Sequence, residues 1–444
     1  MKRSKVLVAA LLLIMPFFVT ACSLRDLPVV GKYLPDFPGS GKKDEFPKNQ
    51  VTLSVWGLWE NSEVMDALIK KYQEMHPNVK INYEDRSVLK PSDYKDSVYT
   101  RLGQEGTNAG DVVFVHNSWV PGIKDNLSPA PEKVVTAEQF KNKFYPAATQ
   151  NAVVNGNVYA LPLYYDGLVL VYNKKHFSEI NQTHPPASWE EFRRLALELT
   201  IRGPNKTIVR GGAAIGTQKN IEFSQDIMGL LFAQAGVSIP NDLDQKAAFD
   251  ALTFYTNFAL VDKVWDDTMP EAASAFTQEK ASMIFVPSWN LLDILEARPD
   301  WATSGNVGVA PVPQAIVDEP TNWASFWMAA VPAKSSNKEV AWDFINYLTQ
   351  EDQQKAWFDE ASKFRPFGPI YSLVSLKDSL SSNPYLAPFV QEAATAKTTI
   401  LAGRAGNKTA GESISEAINT LMTDSRATSE TVLKAAKDKL SKTK

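Results

Sequence analysis

The sequence predicts an α/β protein of two intimate lobes, each a mostly parallel sheet flanked by helices. Three observations carry that expectation. From Val51 onward the apolar residues switch repeatedly between a period of two and a helical period, and such βαβα order implies parallel strands covered on both faces. Hydrophobic residues make up 44% of the 444 and aromatic residues 11%, which is globular composition and excludes a disordered or low-complexity chain. Finally, no internal repeat and no linker interrupts the stretch after Gln50, so a length that calls for two or three domains must be folded into interwoven ones.

Taken in order, residues 1–22 read as an address. Lys2, Arg3 and Lys5 precede an apolar run at 6–19, which is shorter than the roughly 20 residues a membrane-spanning helix needs. An export signal over residues 1–21 fits. Val19-Thr20-Ala21-Cys22 then resembles the bacterial lipobox, in which the Cys becomes the lipid-bearing first residue of the mature chain. A conventional signal peptide with an unrelated Cys is the alternative. That the sole Cys of the chain falls at this place favours the lipoprotein. It also excludes intrachain disulfides and Cys-based zinc sites. Loss of Lys2, Arg3 and Lys5 would take the formal charge from −4 to −7, so the protein should stand off from an anionic membrane. Residues 22–50, with Pro28, Pro35, Pro38, Pro47 and three glycines, read as a flexible tether reaching about 30 Å. With no other segment of spanning length, the remainder is expected to be exported and soluble.

Val51, Leu53 and Val55 alternate as a strand, and Val64, Met65, Leu68, Ile69, Tyr72 and Met75 share one helical face. Asn61 or Ser62 suits the cap of that helix, and Pro77 follows it. Val79, Ile81 and Tyr83 alternate again; Tyr94, Val98 and Leu102 form a second helical stripe before the apolar strand at 112–115. Asn155-Gly156 signals a hairpin turn. Ser188-Trp-Glu-Glu191 and Ser336-Asn-Lys-Glu339 read as capping boxes. Helices are expected at 222–235, 245–260 and 290–297, and strands at 281–286, 307–312 and 326–331. After Arg365 the chain reads as helical and polar to its end.

Enzyme signatures come up short. His76, His116, His176 and His184 are too far apart for a His-x-x-x-His metal pair and read as surface or loop residues. No nucleophile elbow, P-loop or Gly-x-Gly-x-x-Gly occurs. Ser335-Ser-Asn-Lys338 fits Ser-x-x-Lys but sits at a helix start, where capping explains it. Glu60, Asp111 and Asp166 are carboxylates of the kind a glycosidase pairs, yet sequence sets no separation between them. Scattered basic residues give no nucleic-acid face, and no cofactor or metal is expected.

The 11 tryptophans are the informative feature. Trp189 and Trp342 read as core. Trp56, Trp59, Trp119, Trp289 and Trp323 instead fall where strands end or loops begin, which in open α/β sheets is where the ligand crevice lies. Beside Glu60, Asn61, Asn117, Ser118, Asp166 and Asn290 they would make an amphipathic pocket suited to a sugar ring, apolar on its faces and hydroxylated at its rim.

The stretch Val51–Trp59 with its following helix, with Gly110-Asp-Val-Val-Phe114, Tyr159-Ala-Leu-Pro162, Tyr165-Asp166-Gly167, Tyr172-Asn173-Lys174, the segments 186–192 and 276–283, Ser288-Trp289-Asn290, and residues 309–313 and 330–348, resembles the extracellular solute-binding proteins of family 1, the carbohydrate-binding subunits of ABC importers. The resemblance implies the two-lobed type II periplasmic-binding-protein fold with three hinge crossings, the lobes being 51–166 plus 311–355 and 167–310 plus 356–444. Its contact positions map to Trp59, Glu60 and Asn61, to Asn117, Ser118 and Trp119, to Asp166 at the hinge and to Trp289 as a stacking ring. Gln225 and Arg365 follow by helix position alone. Trp323-Ala-Ser-Phe-Trp327 stands where many relatives carry a Gly-rich turn and would reshape the cleft. The resemblance thus implies a monomeric, lipid-anchored binder of a sugar or oligosaccharide that serves an ABC permease. A polyamine or peptide binder, a glycoside hydrolase, and a sensor or adhesin on the same fold are the rivals.

Overall fold

Strand β1 (Val51–Gly57) turns Leu53 and Val55 inward, and its neighbour β2 (Val79–Asp85) buries Val79 and Ile81. The computed structural model describes residues 46–104, 109–403 and 406–442. The signal segment, Cys22 and the tether as far as residue 45 lie outside the described residues.

Helix α1 (Ser62–Met75) joins β1 to β2 as a parallel crossover, and α2 (Pro91–Gly103) joins β2 to β3 (Val112–His116), which pairs parallel with β1. Asn61 caps α1, its Oδ1 accepting the Glu63 N–H at 2.8 Å. All five residues of β3 are buried, as befits a strand covered on both faces. The short strand β4 (Leu127–Ser128), the late strand Trp327–Pro332 and the short strand Leu161–Pro162, which pairs antiparallel with the late one, complete the six-stranded sheet, and the late strand lies between β3 and β4, antiparallel to both.

A second sheet is built around β5 (Val169–Asn173), flanked by β6 (Met283–Val286) and β7 (Val307–Ala310). Both ladders are antiparallel, so this three-stranded sheet is antiparallel rather than mostly parallel; residues 211–214 run beside the segment 280–283 and meet it through an isolated parallel bridge at Gly211 and Ala281, just before β6. Phe192, Phe258 and Phe285 pack its face, with ring centroids 5.3–5.6 Å apart.

The chain leaves the first sheet after Leu161–Pro162 and returns from Ala310 to Trp327, and these two passages run side by side. Gly167 bridges Ala324, and Ser325 N–H donates to the Asp166 carbonyl at 3.0 Å. A Cβ at Gly167 would stand 2.2 Å from the Trp323 carbonyl oxygen, so glycine is required there. From Pro47 onward the chain forms one unit.

Several local expectations are corrected. The helix Lys338–Leu348 starts behind Asn337, and it is Ser335 that accepts the Asn337 N–H (3.0 Å) while donating to Asp111 (2.6 Å). Asp111 also takes the Ser54 N–H at 3.0 Å, which makes it a structural tie. At the other expected box Ser188 does cap its helix, but Glu191 reaches the Ala187 N–H instead of Ser188. Residues 362–403 are mostly irregular, with helix resuming at Lys408–Thr423 and Ser429–Ser441. His116 and His176 are buried, not surface residues. The hairpin at Asn155-Gly156 forms, with φ of 51° and 80° that suit the turn. The helix Glu351–Ala361 runs unbroken through residue 355 and packs on α1.

Candidate binding cleft

Because three parallel strands end on one side, their following loops converge there. Leu58–Glu60 after β1, 87–91 after β2 and His116 at the end of β3 form one wall of a cleft of about 640 Å³. The segment after β6 forms the facing wall: Trp289, Leu292, Asp293 and Glu296 recur at helical spacing and present one stripe of the helix Ser288–Ala297 to the opening.

Aromatic surface dominates the walls. Trp59 is 41% exposed and Trp289 40% exposed, high values for indoles. Trp59 is held at φ 53°, a left-handed conformation that side chains other than Gly, Asn and Asp rarely adopt, and its N–H donates to Ser87 Oγ. Its ring meets Trp327 edge-on at 4.8 Å, and Trp327 in turn meets the buried Trp119 at 5.1 Å. Trp289 packs edge-on against Phe223 at 5.5 Å.

Polar groups form the floor. Glu60 is buried and accepts from Trp357 Nε1 (2.6 Å) and Arg365 Nη2 (3.1 Å) through Oε2, and from Asn61 N–H (3.1 Å) through Oε1. Asp166 accepts the Gly167 and Ser288 N–H groups at Oδ1 and the Ser288 hydroxyl at Oδ2, each within 2.9 Å. Burial nonetheless pushes its carboxyl up to about 7, outweighing those hydrogen bonds, with the nearby Asp226 charge adding to the rise. Burial likewise pushes Asp226 up to about 6. His116 is pushed down to about 3 by burial and by Lys95, so it is neutral, bonded to Ser118 Oγ (2.8 Å) and Ser325 Oγ (3.1 Å). Among the described lining residues, the carboxylates Glu60, Asp166, Asp226, Asp293 and Glu296 outnumber the cations Lys90 and Arg365.

Of the residues singled out from sequence, Trp59, Glu60, Asp166, Trp289 and Arg365 line this cleft. Eight others do not, and each has local work: Trp56 is buried, with the Arg86 guanidinium 4.1 Å from its ring. Asn61 caps α1. Asn117 ties Thr398 Oγ1 (2.7 Å) to Phe326 N–H (3.1 Å). Ser118 bonds His116 and the Ala402 carbonyl (3.2 Å). Trp119 is 1% exposed in the core. Gln225 faces Ser415 (3.3 Å), and Asn290 faces Asp293 (3.4 Å). Trp323 is buried and donates its indole N–H to Asp226 Oδ1 at 2.7 Å. Sequence reasoning named Trp327 only as the end of the segment that reshapes the cleft, and missed Trp357 and Asp226. Trp327 and Asp226 each lie within a few positions of a residue that was chosen; Trp357 sits on a helix face that carried no signal.

A profile described as bacterial extracellular solute-binding protein matches residues 58–355. A probable ABC transporter-binding protein of Deinococcus radiodurans is 26% identical over 307 residues, covering 67% of this chain and 71% of its own. Among solved structures, the sugar-binding protein MalE of Xanthomonas citri superposes with a TM-score of 0.70 at 17% identity, covering 87% of this chain and 96% of that one. The cyclic α-maltosyl-1,6-maltose binding protein of Arthrobacter globiformis gives 0.69 at 19% identity, covering 88% and 98%.

Proposed function

Because this chain belongs to the bacterial extracellular solute-binding protein family, we propose that it captures a sugar or oligosaccharide outside the cytoplasm and delivers it to the permease of an ABC importer. The observation that carries this reading is the set of exposed indoles, Trp59 and Trp289 on facing walls with Trp327 beside the first, around a floor of Glu60, Asp166, Asp226 and Arg365. Indole faces suit the apolar faces of a pyranose, and fixed carboxylates and a guanidinium suit its hydroxyls. The Xanthomonas protein of similar fold is a sugar-binding protein and the Arthrobacter one binds cyclic α-maltosyl-1,6-maltose, which supports the same class.

In this reading the expected lobes, 51–166 plus 311–355 and 167–310 plus 356–444, shift their last boundary to Ala361, because the Glu351–Ala361 helix is unbroken and packs on α1, so that 356–361 belong to the first lobe. Ligand touches both walls only when they close, so its binding energy shifts the population toward the closed form. A micromolar dissociation constant corresponds to about −8 kcal/mol, within reach of two stacked rings and several hydrogen bonds. Capture and release break no covalent bond, so no catalytic residue is assigned. The protein acts as a monomer, tethered through lipid on Cys22.

A thermal-shift screen of mono- and oligosaccharides, amines and peptides tests the proposal. Saccharides are expected to raise Tm; a response to amines or peptides alone overturns it. The excess of carboxylates over cations in the lining favours one second reading, an amine solute such as a polyamine, and the same screen separates the two.

A further inference from the structure

Three buried carboxylates face the cleft, and their hydrogen-bond accounts differ. Both oxygens of Glu60 are occupied, by Asn61 N–H on one side and by Trp357 and Arg365 on the other. Both oxygens of Asp166 are occupied, by Gly167 and Ser288. Asp226 is only 4% exposed, yet both of its donors, Trp323 Nε1 (2.7 Å) and Gly403 N–H (2.9 Å), converge on Oδ1. Its Oδ2 has no hydrogen-bond partner among the described residues, and the residue lines the cleft.

We infer that Asp226 Oδ2 is the acceptor that selects a hydroxyl of the bound ligand at the cleft floor. This rests on the carbohydrate reading above and deepens it by naming the contact that sets specificity. In the open cleft this oxygen is still reached by water, so a ligand that closes over it must bring an O–H in place of that water, and an analogue lacking the hydroxyl leaves the carboxylate oxygen without a donor. The side chain is not free to turn toward another donor. Trp323 is fully buried and its ring fills the space over Gly229, where a Cβ would come within 2.2 Å of it. Gly403 holds φ 78° with its Cα packed against His116, so the second donor is fixed as well. Two rigid donors occupy one oxygen and leave the other without a partner among the described residues, on a side chain that lines the cleft.

The same two donors make Asp226→Asn diagnostic. They require an acceptor, so the amide oxygen takes the Oδ1 place and the NH₂ takes the Oδ2 place, turning the cleft-facing acceptor into a donor with little change of shape. Titration calorimetry on the full chain at pH 7.5 with maltotriose, mannotriose and spermidine as probes, followed by the monodeoxy series of whichever trisaccharide binds, tests the assignment. The expected result is saccharide binding by the wild type, a loss of about 30-fold or more in Asp226→Asn with Tm of the unliganded chain within about 3 °C, and one deoxy position that loses a similar factor in the wild type and nothing further in the variant. If the variant does not fold, the deoxy series on the wild type reads the contact from the ligand side. Undiminished saccharide binding by a folded Asp226→Asn, or a deoxy series with no sensitive position, overturns the assignment and leaves the carbohydrate reading standing. Binding of spermidine alone, or of none of the probes, overturns both.

Discussion

The indole Nε1 of Trp357 lies 2.6 Å from Oε2 of Glu60, so a carboxylate from the loop after the first strand is held by a helix far along the chain. Arg365 shares the same oxygen at 3.1 Å. Glu60→Ala strands a buried indole N–H and unpairs the guanidinium, and is expected to cost about 2–4 kcal/mol of unfolding free energy. Glu60→Gln keeps an acceptor for Trp357 and should cost less than half as much. Urea unfolding of the unliganded variants measures both, and an alanine variant as stable as wild type would show that the contact carries no weight.

Trp289 is a contrasting case, since it offers its face to the cleft and little to the core. Trp289→Ala is expected to weaken saccharide binding by about tenfold to a hundredfold while shifting the unliganded Tm by no more than about 3 °C. Calorimetric titration beside a thermal melt distinguishes the two effects. Unchanged affinity rejects the stacking role.

The acid groups of the floor give the unliganded protein a pH dependence with a definite sign. Asp166 is pushed up to about 7 and Asp226 to about 6, against about 3.9 in an unfolded chain. The folded state therefore keeps protons that the unfolded state has already released, and stability falls as pH rises between about 4 and 7. Asp166→Asn removes its share of that slope. The difference in Tm between wild type and this variant should shrink, then reverse or level, from pH 4.5 to 7.5; a constant difference would mean that Asp166 titrates like a solvated carboxylate.

Gly403 sits at φ 78°, and a Cβ there would stand 2.7 Å from His116 Nε2 and 3.2 Å from Ser325 Oγ. Gly403→Ala is expected to destabilise the fold by about 1–3 kcal/mol. Because its N–H fixes Asp226, the same change should also lower ligand affinity. Calorimetry and urea unfolding on one preparation report both, and a variant that loses neither speaks against the fixed donor.

Cys22→Ser tests the tether independently of the cleft. Blocked lipidation is expected to move the protein from the membrane pellet to the soluble fraction, with ligand affinity unchanged. Fractionation followed by immunoblotting decides it, and retention in the pellet would point to another anchor.

The first half of the fold was legible because its strands and helices carry clean periods, as at Leu53 and Val55 or at Val64 to Tyr72. Loops gave fewer clues. The bend that aims Trp59 outward depends on a left-handed backbone that no pattern announces. Choosing Gln225 over Asp226 missed by one residue, and on a helix one residue turns the side chain by about 100°. Trp323 and Trp327 divide the expected role: the first is buried as a support, the second reaches the wall. The irregular stretch from 362 to 403 has no period to read, because its order comes from contacts with distant segments, such as Glu392 with Val312 and Thr398 with Asn117.

The late strand Trp327–Pro332 inserts between β3 and β4, strands made early in the chain. During synthesis the first sheet is therefore left with a gap until Pro332 has been assembled, and its closing ladder joins residues more than two hundred positions apart. A polypeptide emerging N-terminus first cannot finish that sheet while most of its length is still to come. That sheet therefore depends on contacts of long range in sequence, and its completion waits on the later two thirds of the chain rather than on the segment that begins it.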